Sequence, residues 1–356
     1  PQIPKSPKPS PTERAHAIGE GAFANPFLRY RHRLSVYAAA CALGMSDAEF
    51  VSRVGRLDER VAEVDGGGFR TTPLRIESVL APSVGLPCGN LLVKVEADNV
   101  SGSHKARHLM GVALWLDVEA WAREHGALPS PVSAAPRLAI ASCGNAALAA
   151  AVVARAAGRE LDVFVPTWAS ASVVARLQAL GASISVCERE PGVAGDPCYH
   201  DFQKAVARGA TPFCCQGPDN ALTIAGGETL AWEMADALEG DVPDAVFVQV
   251  GGGALATAVA RGLIEAHRAG DIARLPRLHA VQTYGCAPLV RAYDAVVVHI
   301  LRGMGEEAAL LDTIAPASAL ARIDRAHVIA ARAPRDVVNE ALRFAATQRS
   351  AFMRPW

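Results

Sequence analysis

The chain has 356 residues, enough for two domains, and its 51% hydrophobic and 6% aromatic residues point to an aliphatic α/β interior. Thirty-five Lys and Arg balance thirty-six Asp and Glu, a formal charge of -1 that excludes the basic footprint of a nucleic-acid binder. The most apolar run, Ala146 to Ala157, is broken by Arg155 before it could span a bilayer, and Pro1-Gln2-Ile3-Pro4-Lys5 lacks the apolar core of a secretion signal. Eight scattered cysteines form no Cys-x-x-Cys pair, and the adjacent Cys214-Cys215 are poorly placed to bridge each other, as in a reducing interior. The expectation is a soluble cytoplasmic protein whose partner is a small molecule, neither nucleic acid nor membrane.

Residues 1–15, with five prolines among Ser, Lys and Thr, read as a loose tail. From Phe23 to about Val64 the pattern is helical, with Tyr30, Leu34, Tyr37, Ala38 and Cys41 near one face and Phe50, Val54, Leu57 and Val61 on a second run. Gly66-Gly67-Gly68 ends it. A strand is predicted over Leu91 to Val95, then a polar turn through Asn99 and Gly102, then a helix from Lys105 to Glu124. Strand and helix next alternate: Leu138 to Ala141 with Ala146 to Ala157, Leu161 to Val165 with Ala171 to Leu180, and Ile184 to Val186 with a weaker helix. A second set follows, with helix Gly227 to Leu238, strand Ala245 to Val250, helix Leu255 to Ala269 and strand Leu278 to Thr283. This rhythm predicts an α/β fold of two parallel-sheet domains with helices on both faces. The Pro-rich stretch from Leu128 to Pro136 reads as a connecting loop.

Three strand-to-helix corners carry unusual chemistry, because helix N-termini beyond the carboxyl ends of parallel strands attract anions. Gly251-Gly252-Gly253-Ala254-Leu255 follows a strand and opens a helix, so its amides could close around a phosphate; the alternative is a tight turn that needs glycine. No Lys-Ser/Thr follows it and it is not Gly-x-Gly-x-x-Gly, which weakens nucleotide readings. Ser142-Cys143-Gly144-Asn145 reads either as ordinary helix capping or as a cradle for a carboxylate. Asn99-Val100-Ser101-Gly102-Ser103-His104-Lys105 puts a lysine at a helix start, where the dipole favours a neutral amine or an imine. Together the three corners match an amino acid linked to a phosphorylated aldehyde cofactor.

These residues resemble the fold type II pyridoxal-phosphate enzymes, the tryptophan synthase β-chain family, which includes cysteine synthase, threonine synthase and serine/threonine dehydratases. The resemblance runs from about Thr72 to at least Pro288. Lys94-x-Glu96-x-x-Asn99-x-x-Gly102-Ser103-His104-Lys105-x-Arg107 is similar to the segment whose lysine forms the family's Schiff base, which implies that role for Lys105. Ser142 to Asn145 is similar to the S-x-G-N loop, implying that Asn145 contacts the cofactor and that Ser142, Cys143, Gly144 and Asn145 bind substrate. Gly251, Gly252, Gly253, Ala254 and Leu255 resemble the phosphate loop, with Ala254 where a fourth glycine is usual. Gly226-Gly227-Glu228-Thr229 to Glu233 resembles a helix start that follows the smaller domain.

The resemblance implies pyridoxal 5'-phosphate as cofactor and His104 facing its phosphate. It implies an N-terminal extension over 1–70, a larger domain over 71–95 plus 205–356, and a smaller one over 96–204. The implied activity is α,β-elimination on a small amino acid such as serine or threonine, by an ammonia-lyase of the dehydratase type. β- or γ-replacement and a non-catalytic cofactor-binding subunit stand as alternatives, and a homodimer is expected by analogy. No segment before Phe352-Met353-Arg354-Pro355-Trp356 matches the small-residue loop that usually meets the cofactor's ring nitrogen. His104 and His108 have the i, i+4 spacing of a zinc pair but lack a third ligand in sequence, so no metal is expected. Cys143 reads as a small apolar filler, and Leu74, Glu96 and Arg107 as structural residues around the lysine-bearing turn.

Overall fold

A computed structural model describes residues 24–129, 136–193, 195–215 and 219–283. The expected N-terminal tail, most of the Leu128 to Pro136 loop and the C-terminal region implied at the ring nitrogen lie outside them. Asn25 caps helix α1 (Pro26–Arg29), its Oδ1 accepting from the Phe27 N–H at 2.8 Å. A 3-10 turn at Arg31–Arg33 leads to α2 (Ser35–Ala42), and Ser46 caps α3 (Asp47–Asp65). Phe50, Val54, Leu57 and Val61 are buried along α3, as their spacing requires. The first predicted face is corrected: Tyr30 and Leu34 are buried, but α2 turns Val36 and Ala40 inward and leaves Ala38 and Cys41 exposed. The break between Arg31 and Leu34 resets the helical phase, so a period counted across it does not hold.

Strands β1 (Leu74–Ile76) and β2 (Leu92–Lys94) pair antiparallel, with helix α4 (Leu80–Ser83) between them in sequence. Three residues are too few for β1 to show alternation, and it was not predicted. Helix α5 (Lys105–Glu124) has the predicted bounds. Beyond it, β3 (Leu138–Ala141), α6 (Asn145–Ala156), β4 (Leu161–Pro166), α7 (Ala171–Ala179), β5 (Ser183–Cys187), α8 (Pro197–Ala207) and β6 (Thr211–Pro212) build a parallel sheet of order β5-β4-β3-β6. All four residues of β3 are buried, as in a parallel strand covered on both faces. The chain moves outward from β3 to β5 and then returns to the other side of β3. With right-handed crossovers, that reversal places α8 on the face opposite α6 and α7. It also creates a switch point between β3 and β6, where ligands of open sheets gather. The Ser142–Asn145 loop leaves β3 at this point.

The chain continues through α9 (Thr223–Ala237), β7 (Ala245–Gln249), α10 (Ala254–Ala269) and β8 (Arg277–Val281), with β7 and β8 parallel. Helix α9 starts four residues before the predicted Gly227, which puts Gly226 and Gly227 inside it. A glycine there costs about 1 kcal/mol of helix propensity. The compensation is closeness to α5: a Cβ on Gly226 would fall 2.0 Å from the Arg107 carbonyl oxygen, and one on Gly227 would fall 2.3 Å from His108 Cε1. Gly227→Ala is expected to destabilise the protein by about 1–3 kcal/mol, read as a lower urea midpoint at unchanged m-value. Among the described residues no helix is long and apolar enough to cross a membrane, and no disulfide joins the cysteines.

Candidate cofactor and active site

The segment before Lys105 is held by a buried ionic network. Arg107 is fully buried; its Nε donates to Glu96 Oε2 at 2.8 Å, its Nη1 to Glu233 Oε1 at 2.6 Å and Thr229 Oγ1 at 3.0 Å, and its Nη2 to Thr72 Oγ1 at 3.1 Å. Lys94 Nζ donates to Glu233 Oε2 and to the Thr72 carbonyl, each at 2.5 Å, and the Thr72 hydroxyl bonds Glu96. Two cations face two carboxylates, so the charges balance out of water. Burial alone would raise the Glu233 carboxyl, but Arg107 and Lys94 bring it below its ordinary value. Asn99 Nδ2 donates to Glu96 Oε2 and to the Ser103 carbonyl. The Ser101 N–H donates to Asp65 Oδ2 at 2.7 Å, and Ser101 and Gly102 take φ of 56° and 70°. Lys94, Glu96, Asn99 and Arg107 thus act on one object, the turn that delivers Lys105 to the start of α5. Leu74 is only half-buried in β1.

The helices that begin at the three predicted corners are linked by packing. Helix α5 packs against α6 and α9, α6 packs against the Val100–Gly102 turn, and α9 packs against α10. Gly227 sits between His108 of α5 and Ala258 of α10, whose Cβ lies 2.9 Å from the position a Gly227 Cβ would take. Ala254, the residue in place of a fourth glycine, is buried in a small cluster with Ile224 and Ala258. Its methyl therefore serves helix packing. Cys215, just beyond β6, places its Sγ 3.9 Å from the Lys105 carbonyl oxygen, which brings the β6 side of the switch point to the lysine. Sequence reasoning gave Cys215 no place here, since nothing local marks a residue that follows a two-residue strand.

Helices α5, α6 and α10 open at His104, Gly144 and Gly253 with no side-chain cap and no acidic residue in the first turn. Helices α2, α7 and α9 share this, whereas Asn25, Ser46 and Asp196 cap α1, α3 and α8. The N–H groups of the three site helices keep their capacity for an external anion. Gly253 has φ of 85°, and a Cβ on Gly251 would meet nothing within 4 Å, so this loop can present amides to a phosphate. In the second loop, the Gly144 N–H donates to Ser142 Oγ at 3.4 Å, and the Ser142 N–H to the Phe164 carbonyl at 3.1 Å. Burial pushes the Cys143 thiol up, away from the thiolate a nucleophile needs.

His104 and His108 are both buried, with ring centroids 5.7 Å apart. The Thr223 carbonyl can only accept, so His108 Nδ1 carries the proton that bonds it at 2.7 Å. The Nε2 atoms of both rings have no hydrogen-bond partner among the described residues. Burial pulls His104 down to about 2 and His108 down to about 3, with the Lys105 charge adding to both. Each imidazole is neutral, and its contribution to stability is present above its unfolded value of about 6.5 and lost as pH falls toward these values. No group of three metal-ligating side chains includes them among the described residues.

Glu228 on α9 behaves oppositely. Burial raises its carboxyl to about 7, although Arg261 Nε stands 2.8 Å from Oε1 and pulls it down. Its neutral form is favoured in the fold, so its contribution is full below about pH 4.5 and is lost as pH rises through about 7. Glu228→Gln is expected to remove about 3 kcal/mol of the pH dependence between those limits, measured by urea melts at pH 5 and pH 7.5.

The residues fit pyridoxal phosphate on chemical grounds: a glycine loop with open amides, a second small-residue loop at a switch point, and a lysine at the start of a third uncapped helix. A profile described as "Pyridoxal-phosphate dependent enzyme" matches residues 67–355. The chain belongs to this family. Among curated proteins, this pyridoxal-phosphate dependent enzyme is 30% identical over 215 residues to mouse "Serine dehydratase-like", covering 59% of the chain and 56% of that protein. It is 28% identical over 242 residues to "Threonine synthase" of Methanosarcina acetivorans, covering 66% and 52%. The chain thus spans about half the length of the curated relatives it matches. Maize serine racemase aligns with a TM-score of 0.50 at 20% identity over 68% of this chain and 64% of that one, a likeness of fold.

Proposed function

We propose that this enzyme is an ammonia-lyase of the serine/threonine dehydratase type, with Lys105 as its catalytic residue. The observation that carries the reading is the seating of Lys105 at the uncapped start of α5, within reach of the β3–β6 switch point and joined through α9 to the glycine loop. Gly251 to Leu255 would hold the cofactor phosphate on backbone amides, His104 would face that phosphate, and Asn145 would donate to the ring oxygen. When bound, pyridoxal phosphate supplies an electron sink that acidifies the proton on the substrate's α-carbon. Lys105 Nζ takes that proton, and the Ser142 to Asn145 backbone holds the substrate carboxylate.

The same reading assigns residues 96–204 to the smaller domain, residues 71–95 plus 205–356 to the larger one, and 1–70 to an N-terminal extension. It also holds the protein to be a homodimer, which light scattering tests. The test of activity is to titrate the cofactor-loaded enzyme with a panel of amino acids, following the cofactor spectrum, ammonia and oxo-acid release. Serine or threonine should change the spectrum and release both products in equal amounts. Release only of a non-ammonia leaving group when a second nucleophile is added would favour replacement, the reading that similarity to a threonine synthase supports. Cofactor binding with a silent panel would overturn both.

A further inference from the structure

Helices α3, α6 and α7 border a solvent-open cavity of about 470 Å³ at the carboxyl ends of α6 and α7, and its three arginines are exposed. Helix α6 is 12 residues long, so the cavity lies about 18 Å from the Ser142 to Asn145 loop at its other end. It is lined by Arg60, Arg155 and Arg176, with Glu63, Val64 and Leu180. Arg60 Nε donates to the Ala156 carbonyl at 2.7 Å, and Arg155 Nη1 to the Ala179 carbonyl at 2.7 Å, which fixes two guanidinium groups at the helix ends. Arg176 stands 4.0 Å from Asp65 Oδ1, beyond hydrogen-bond reach, while Asp65 Oδ2 accepts from Ser101.

Each guanidinium carries five N–H donors, and these bonds use one apiece on Arg60 and Arg155. Arg60 and Arg155 offset the negative carboxyl ends of α6 and α7 whose carbonyls they bind, and with Arg176 they outnumber Glu63 and the rim carboxylate Asp65 by three charges to two. Such forks match the oxygens of phosphate groups. The lining includes no aromatic ring on which a nucleotide base could stack. We propose that this cavity binds a compact phosphate-type polyanion, with Arg60, Arg155 and Arg176 as its ligands.

The test is calorimetric titration of the cofactor-loaded full chain with sodium pyrophosphate, with saturating pyridoxal phosphate keeping the glycine loop filled. One pyrophosphate should bind per chain, more tightly than orthophosphate and more weakly as salt rises. Arg176→Gln alters a half-exposed side chain that caps nothing, and should weaken binding about tenfold with an unchanged thermal melt. Arg60→Gln/Arg176→Gln should weaken it further. Hydrogen exchange should slow at residues 60–65 and 155–180. Any of four results would overturn the proposal: no binding at millimolar pyrophosphate, equal binding by Arg176→Gln, protection at 251–255 instead, or tighter binding of citrate or ADP.

Discussion

Lys105→Ala is expected to abolish turnover, a loss of at least about a thousandfold, and with it the visible absorption of the bound cofactor. Both effects follow from one atom, because Lys105 Nζ is proposed to hold the cofactor covalently and to move the α-proton. Removing one general base alone typically costs 10²–10⁴-fold. Loss of the covalent link removes the spectral band as well, so spectrum and rate should fail together. The side chain takes no part in the network around Arg107, so the thermal melt of the cofactor-free variant should match the parent. Retained turnover by Lys105→Ala would remove the lysine from the mechanism.

Arg107→Met should be among the most damaging substitutions for stability, at about 3–5 kcal/mol, because it leaves the buried Glu233 and the partly buried Glu96 with Lys94 as the one cation beside them among the described residues. Arg107→Lys should recover little, since a single ammonium cannot span Glu96, Glu233, Thr229 and Thr72 together. The measurement is the urea midpoint of the cofactor-free protein. Cofactor affinity should fall in parallel, because the same network fixes the turn before Lys105. A variant that lost cofactor but kept its midpoint would separate the two roles and refute this account.

The corners of the candidate site were legible in the sequence as strand-to-helix junctions. Lys105, Asn145 and the glycine loop stand at strand-to-helix corners, and such corners announce themselves through local pattern: an apolar run, small residues, then a helical period. Helix α5, expected from about Lys105 to Glu124, was found over that span for the same reason. The reading faltered where the local pattern was interrupted or too short. The 3-10 turn at Arg31–Arg33 shifted the inward face of α2, and β1 and β6 are too brief to alternate. Helix α9 began four residues early because Gly226 and Gly227, which read as a helix start, are contact points with α5.

By itself the sequence determined the order and type of the main elements, their parallel arrangement, and which corners could bind anions, since these depend on periodicity and on the chemistry of neighbouring residues. Only the tertiary structure decided what surrounds them. Thr72, Thr229 and Glu233 lie 35, 122 and 126 residues from Arg107, yet they share its guanidinium. Cys215 reaches the Lys105 carbonyl from 110 residues away, and the three arginines of the distal cavity come from three different helices. Such groupings depend on how closely packed elements approach: a single Cβ at Gly226 would forbid the approach of α9 to α5 that brings Thr229 and Glu233 to Arg107.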